Sequence, residues 1–186
     1  MELEEIIKGC IKNNASSQKA LYAMFARKMM GICYRYVKSR EAAEDVLQEA
    51  FIDIFAKIKS YRGEGSFEGW IRRITVGHAI ANFRKEIKQN NHFVDIDEVE
   101  HSLHSYNQII ESISAGELVE LINSLPDGFR IVLNLYSIEG YSHKEIGEML
   151  KITESSSRSQ LTRAKKALEK VLRNNATLAI HEQRSI

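Results

Sequence analysis

The sequence predicts an all-α chain: two small helical domains joined by a flexible acidic linker. Three observations carry this. Apolar residues recur at steps of three and four through most of the chain, which gives a helix one apolar face. There is one proline in 186 residues, far below the usual share of about 5%, which disfavours a sandwich or barrel rich in tight turns. Residues 89–110 lose the helical spacing and turn polar and acidic, and a structureless stretch of about 20 residues is uncommon inside one compact domain but ordinary between two. A hydrophobic share of 44% is enough for packed cores, so the chain is not disordered as a whole.

The elements follow in order. Over 20–38, Leu21, Met24, Phe25, Met29, Ile32, Cys33, Tyr36 and Val37 form one wide stripe. Ser39 caps the next helix, with Glu41 and Glu44 in its first turns, where the helix dipole favours anions. Val46, Leu47, Ala50, Phe51, Ile54, Phe55 and Ile58 are its inner face. Gly63 and Gly65 then supply a turn. Ser66 caps a third helix carrying Phe67, Trp70, Ile71, Ile74, Ala79, Ile80 and Phe83 and ending in the Arg84–Lys88 cluster. After the linker, Ser114 to Glu117 fits a capping box ahead of Leu118, Leu121, Ile122 and Leu125. Pro126 ends that helix and starts another over 127–138. Ser142 to Glu145 is a second capping box, opening a helix with Ile146, Met149 and Leu150 inward. Lys151-Ile152-Thr153 is a three-residue turn, and Thr153 caps a last helix with Leu161, Ala164, Leu168, Val171 and Leu172 inward. The tail, 174–186, is expected to fray. The expected domains are 1–90 and 112–173, with 91–111 as the linker.

The net charge of +1 conceals a block pattern. Residues 41–58 hold five acids and one base, 66–90 five bases and two acids, 91–120 seven acids and no Lys or Arg, and 151–173 seven bases and two acids. Two basic blocks separated by an acidic one suggest two polyanion-facing surfaces and a further partner. No run approaches the roughly 18–20 apolar residues of a membrane span, and the acidic start, Met1 to Glu5, is no signal segment. Cys10 and Cys33 make no disulfide framework and read as reduced, buried thiols of a cytoplasmic protein. His101, His104 and His181 lack a third ligand at metal spacing, so no metal or other cofactor is expected. No phosphate-binding loop, dinucleotide fingerprint or nucleophile elbow is present.

Three constellations remain. Two short helices joined by a three-residue turn, the second longer and basic, make a helix-turn-helix signal. Gly147 permits close packing of the two, and Ile152 plugs the turn. The apolar stripe of the last helix leaves Ser155, Arg158, Ser159, Thr162, Arg163 and Lys166 on or near the opposite face. There arginine reads guanine edges and the hydroxyls and lysine grip phosphates. A solvated basic face is the plainer alternative. Asp45, Gln48, Glu49 and Asp53 mostly share one face of an acidic helix. With no nucleophile or histidine partner nearby in sequence, docking or plain solvation suits that face better than catalysis. Between residues 61 and 88, Tyr61, Phe67, Trp70 and Phe83 interleave with Arg62, Arg72, Arg73, Arg84 and Lys85. Rings beside cations suit unpaired bases, although Phe67 and Trp70 also sit at core spacing.

Together these residues resemble a bacterial RNA polymerase sigma factor of the extracytoplasmic-function group. The resemblance spans about residues 15–90 and 112–173. Ala43-Glu44-Asp45-Val46-Leu47-Gln48-Glu49-Ala50-Phe51 is similar to the family's polymerase-binding helix, which implies that Asp45, Gln48, Glu49 and Phe51 meet core RNA polymerase. Tyr61 to Ile71 resembles the promoter-melting stretch, and Arg72 to Lys88 the helix at the minus-ten element. On that match Arg62, Arg72, Arg73, Asn82, Arg84 and Lys85 face minus-ten DNA. Gly77 stands where many relatives carry asparagine and Ala81 where many carry aspartate. Leu125 to Arg130 and Gly140 to Ala167 resemble region four, which sets Ser155, Arg158, Ser159, Thr162, Arg163 and Lys166 at the minus-thirty-five element. There Ser157 replaces a usual valine and Gln160 a usual arginine. The resemblance implies a specificity subunit rather than an enzyme. Its expected partners are core polymerase, promoter DNA and an anti-sigma or other regulatory protein, without membrane insertion. The rival readings are a stand-alone helix-turn-helix regulator with a sensing or dimerising N-terminal domain, and a metal enzyme on Glu44, Asp45, Glu49 and His78. The latter's ligand spacing fits no common site.

Overall fold

The structure, a computed structural model, describes residues 2–37, 39–90 and 115–183. The described residues contain helices and no strand. Two compact units emerge, Met1–Asn91 and His92–Ile186. The expected linker over 91–111, the Ser114 cap and His101 and His104 lie outside the described residues.

The first unit opens on a helix that apolar spacing alone did not suggest, α1 (Leu3–Ile11), which buries Ile6 and Cys10 one turn apart. Asn13 closes it in the left-handed region (φ 57°), which asparagine tolerates better than most side chains. Helix α2 (Ala15–Tyr36) begins several residues before the apolar stripe does. Its start is set by Asn14, whose side chain accepts the Ser17 N–H at 3.0 Å. A side chain at Gly9 would meet the Ser17 hydroxyl at 2.0 Å, so glycine is what lets α1 fold back on α2. Leu21, Phe25, Met29, Ile32, Cys33 and Tyr36 are buried as expected, whereas Met24 lies outside the stripe and is exposed.

Helix α3 (Arg40–Lys57) starts at Ser39, whose hydroxyl accepts the Ala42 N–H at 3.1 Å. It buries Ala43, Val46, Leu47, Ala50, Phe51 and Ile54 between α2 and the helix that follows. A 3-10 turn (Ile58–Ser60) leads into the loop of Gly63 and Gly65, both at positive φ. Ser66 then caps α4 (Phe67–Asn90), accepting the Gly69 N–H at 3.0 Å. Phe67, Ile71, Val76, Ala79, Ile80 and Phe83 are buried, and Ile74 is only half-buried. Thr75 is buried in this core because its hydroxyl donates to the Ile71 carbonyl at 3.0 Å. Cys10 and Cys33 are free and buried, and burial pushes the Cys33 thiol up to about 12, so it stays protonated and unreactive.

The second unit holds α5 (Ala115–Asn123), α6 (Asp127–Leu133), a wider helical turn (Asn134–Ile138), α7 (His143–Leu150) and α8 (Glu154–Gln183). Pro126 stands immediately before α6. The expected capping box at α7 is complete, with the Ser142 hydroxyl and the Glu145 side chain each taking up the other's backbone N–H. Lys151 closes α7 in the left-handed region (φ 57°). The Thr153 hydroxyl accepts the Ser156 N–H at 3.0 Å and starts α8. The expectation of a frayed tail is corrected in part. Helix α8 continues to Gln183, because residues 154–183 contain neither glycine nor proline to stop it.

Candidate functional site

The acidic surface is built on α3. Asp45, Gln48 and Glu49 are exposed and lie within one face of the helix. Phe51 does not join them. It is 3% exposed, with its ring 4.7 Å from Tyr22 and 5.9 Å from Phe55, so it supports the face from beneath. The helical phase explains the difference: Phe51 lies beyond a quarter-turn from the exposed centre, on the core side. Ile52 takes the place expected of Phe51. It is 70% exposed, three residues after Glu49 and four after Gln48, an apolar side chain in the middle of the acidic face. Its position off the buried stripe was the signal for it in the sequence.

Asp53 ties this face to α4. Its carboxylate accepts from Lys57 at 2.7 Å and lies 3.1 Å from Nε2 of His78, while Nδ1 of His78 is 3.7 Å from Glu49. The Lys57 hydrogen bond, aided by His78, holds the Asp53 carboxyl below its ordinary range. Glu44 pairs with Arg40 at 2.7 Å, away from His78. No group of three metal-ligating side chains comes together among the described residues.

The second surface joins the glycine loop to α4. The Tyr61 hydroxyl donates to the Gly65 carbonyl at 2.8 Å and closes the loop, leaving Arg62 exposed within it. Tyr61, Phe67 and Trp70 form a continuous aromatic cluster, with centroids 5.1 to 5.7 Å apart. Phe67 is core, but Trp70 is only half-buried and offers part of its ring to solvent. Along α4, Arg73, Gly77, Ala81, Arg84 and Lys88 are exposed at steps of three and four, so they share one face. Lys85 is exposed beside them, and Arg72 is half-buried. The middle of this stripe carries little side chain, and a Cβ on Gly77 would meet open space. Asn82 is half-buried, with its carbonyl oxygen buried and lacking a hydrogen-bond partner.

The third surface is the first half of α8. Ser155, Arg158, Ser159 and Thr162 are exposed, and Arg163 and Lys166 are half-buried at the margin. Arg158 pairs with Glu154 one turn back. Thr162 and Ser159 donate to the carbonyls of Arg158 (3.1 Å) and Ser156 (3.0 Å), which keeps both hydroxyls close to the helix. The close approach expected at Gly147 is present: a Cβ there would meet the Ile152 carbonyl oxygen at 2.9 Å. Two further residues, Ser157 and His143, lie behind this face. Ser157 is fully buried, and its hydroxyl is 3.0 Å from Nδ1 of His143, whose ring stacks on Tyr136 at 4.4 Å.

Residues 21–88 match the family model for Sigma-70 region 2, and residues 115–168 match that for Sigma-70, region 4. The chain is 29% identical to the ECF RNA polymerase sigma factor SigW of Bacillus subtilis over 186 residues, covering 94% of this chain and 98% of the relative. It is 27% identical over 162 residues to the RNA polymerase sigma-H factor of Pseudomonas aeruginosa, covering 82% and 84%. Among solved structures, the sigma factor RpoE of Bartonella quintana, in complex with the anti-sigma factor NepR, superposes with a TM-score of 0.51 at 16% identity. That alignment covers 83% of this chain and 96% of the other, and it shows a common fold.

Proposed function

This chain belongs to the sigma-70 family, in its extracytoplasmic-function group, and from that premise we propose how its two units direct core RNA polymerase to promoters and help open the DNA. It is a transcription initiation factor, and sigma factors are not enzymes. The observation that carries the reading is the order of the two family matches. Each falls on one compact unit.

Asp45, Gln48 and Glu49 dock on a basic surface of polymerase. Ile52 is the apolar anchor among them, since binding energy concentrates where an apolar side chain is surrounded by a polar rim. The loop at Arg62 and the α4 face of Arg73, Arg84 and Lys85, with Arg72 and Asn82 at its edge, meet minus-ten DNA. Cations hold the phosphates there, while the exposed part of Trp70 receives an unpaired base. Flipping a base out of the stack costs a few kcal/mol, which stacking and backbone contacts offset. In the second unit Ser155, Arg158, Ser159, Thr162, Arg163 and Lys166 meet the minus-thirty-five element in the major groove. An anti-sigma protein, of the kind bound to the Bartonella relative, would compete by covering the acidic face. No described helix is long and apolar enough to cross a membrane, and a factor acting on polymerase works in the cytoplasm.

The test mixes the purified chain with bacterial core polymerase and follows both by gel filtration. Co-elution is expected, and it should be lost with Glu49→Lys while that variant keeps its helical circular dichroism. Separate elution of the wild-type chain, with DNA still bound, would favour a stand-alone regulator instead.

A further inference from the structure

We propose that His143 is a positioning residue for promoter selection: its bridge to Ser157, backed by Tyr136, sets how α8 is seated on α7 and therefore which upstream bases α8 reads. The proposal rests on α8 being the promoter-reading helix.

Two helices joined by a short turn still have freedom to rotate and tilt, and one contact removes only part of it. Near the turn, Gly147 lets α7 touch the backbone at Ile152 and Glu154, which sets the distance between the helices. That contact involves backbone close to the pivot, so it constrains the far side of α8 weakly. The second constraint is His143. It is the first residue of α7, immediately after the Ser142 cap, and its Nδ1 lies 3.0 Å from the Ser157 hydroxyl. Ser157 is fully buried, so without this partner a hydroxyl would be desolvated in the core. Tyr136, in the middle of the preceding helical turn, stacks on the imidazole with 17° between the ring planes and holds its orientation. The inward side of α8 is therefore pinned at residue 157, and Arg158 and Ser159 follow it directly on the outward side. A valine at this position would leave packing alone to supply the constraint. Here a directional bond does, and a bond with one favoured geometry specifies helix rotation more narrowly than apolar contact.

The groups facing His143 give the bridge a charge dependence. Tyr136 and Tyr141 stand beside it, Lys144 follows it on α7, and Glu154, Arg158 and Lys165 approach from α8. Burial first, then the positive charge of Arg158, holds the imidazole below its ordinary range, and Glu154 opposes this only in part. The folded unit thus prefers neutral His143. That preference is fully present above the ordinary histidine value and is lost as pH falls through the depressed one.

The experiment uses the full chain reconstituted with bacterial core polymerase. The probe is a pool of promoter duplexes randomised over the upstream element, from which the wild-type holoenzyme selects a preferred sequence. The quantity measured is the ratio of binding to that sequence over its single-base variants. His143→Phe keeps the stacking and removes the bond; it should lower the ratio roughly fivefold, the scale of one buried hydrogen bond. Ser157→Ala removes the other partner, should have the same effect, and replaces His143→Phe if that variant fails to fold. The double variant should be no worse than either single one. Wild-type discrimination should hold above the ordinary histidine value and fall as pH drops below it, and the His143→Phe profile should be flat. Unchanged ratios in both single variants, with Arg163→Ala still weakening binding, would overturn the bridge and leave α8 as the reading helix. Unchanged selection with Arg163→Ala as well would overturn both. A ratio that falls in His143→Phe while the pH profile stays that of wild type would reduce His143 to a packing role and also overturn the proposal.

Discussion

The two helices that carry the basic faces are held in place by different means. Helix α4 is a long element in a four-helix unit, packed on both α2 and α3, with an aromatic cluster at its start and Asp53–His78 linking it to α3. Its exposed stripe is thin in the middle, where Gly77 and Ala81 stand between cations. Helix α8, in the second unit, packs on α6 and α7 and is further seated on α7 by a glycine contact and a histidine–serine bridge. The difference matches what each surface is proposed to recognise. Reading base edges in an intact groove needs a helix whose rotation is specified, since hydrogen bonds to base edges are directional. Holding an opened strand needs cations and ring faces, which tolerate more variation in angle.

The comparison is broken most severely by removing the core of one unit only. Leu161 is 6% exposed beneath the reading face of α8, and Leu161→Asp buries a charge without a partner. It should cost more than about 4 kcal/mol, enough to unfold a small unit. A thermal melt followed by circular dichroism should lose the transition of the second unit and keep that of the first; an intact two-unit melt would show that the helix phase is misread.

Glycine sharpens the contrast, because one substitution has opposite signs in the two helices. Gly147→Ala places a methyl 2.9 Å from a backbone oxygen and should destabilise the second unit by about 1–3 kcal/mol. Gly77→Ala meets open space on a helix face and should stabilise the first unit by about 1 kcal/mol. Chemical denaturation of the two variants separates these outcomes, and equal signs would contradict the packing described.

The smallest effect concerns the link under the acidic face. Asp53 has its pKa lowered by the Lys57 hydrogen bond and by His78, so the folded state holds the ionised form more firmly than the unfolded chain does. Its contribution is present above the ordinary aspartate value and disappears as pH falls through the lowered one. The group is a quarter exposed, and solvent screening limits the contribution to under about 1 kcal/mol. Asp53→Asn should flatten that acid limb in denaturation measured against pH, with little change at neutral pH beyond this small loss.

Much of the fold was legible because its signals are local. The caps at Ser39, Ser66, Ser142 and Thr153 act within three residues, and the apolar stripes within four, so both can be read along a single strand of text. The same range explains the helix-turn-helix and the exposed part of the acidic face. Helix α1 was not legible in the apolar spacing, because it is fixed where Gly9 meets Ser17 on α2, and the early start of α2 rests on the Asn14 cap rather than on the apolar stripe. Nor was the run of α8 to Gln183, where the absence of a breaker is a weaker sign than the presence of a cap. Composition, order and local spacing were enough to specify two helical units, and the resemblance of their motifs pointed to the family. The pairing of Asp53 with His78 across 25 residues and the His143–Ser157 bridge across 14 arose only on folding. Each depends on the angle and distance between separate helices, and those are settled by how whole faces pack together rather than by any segment's own preference.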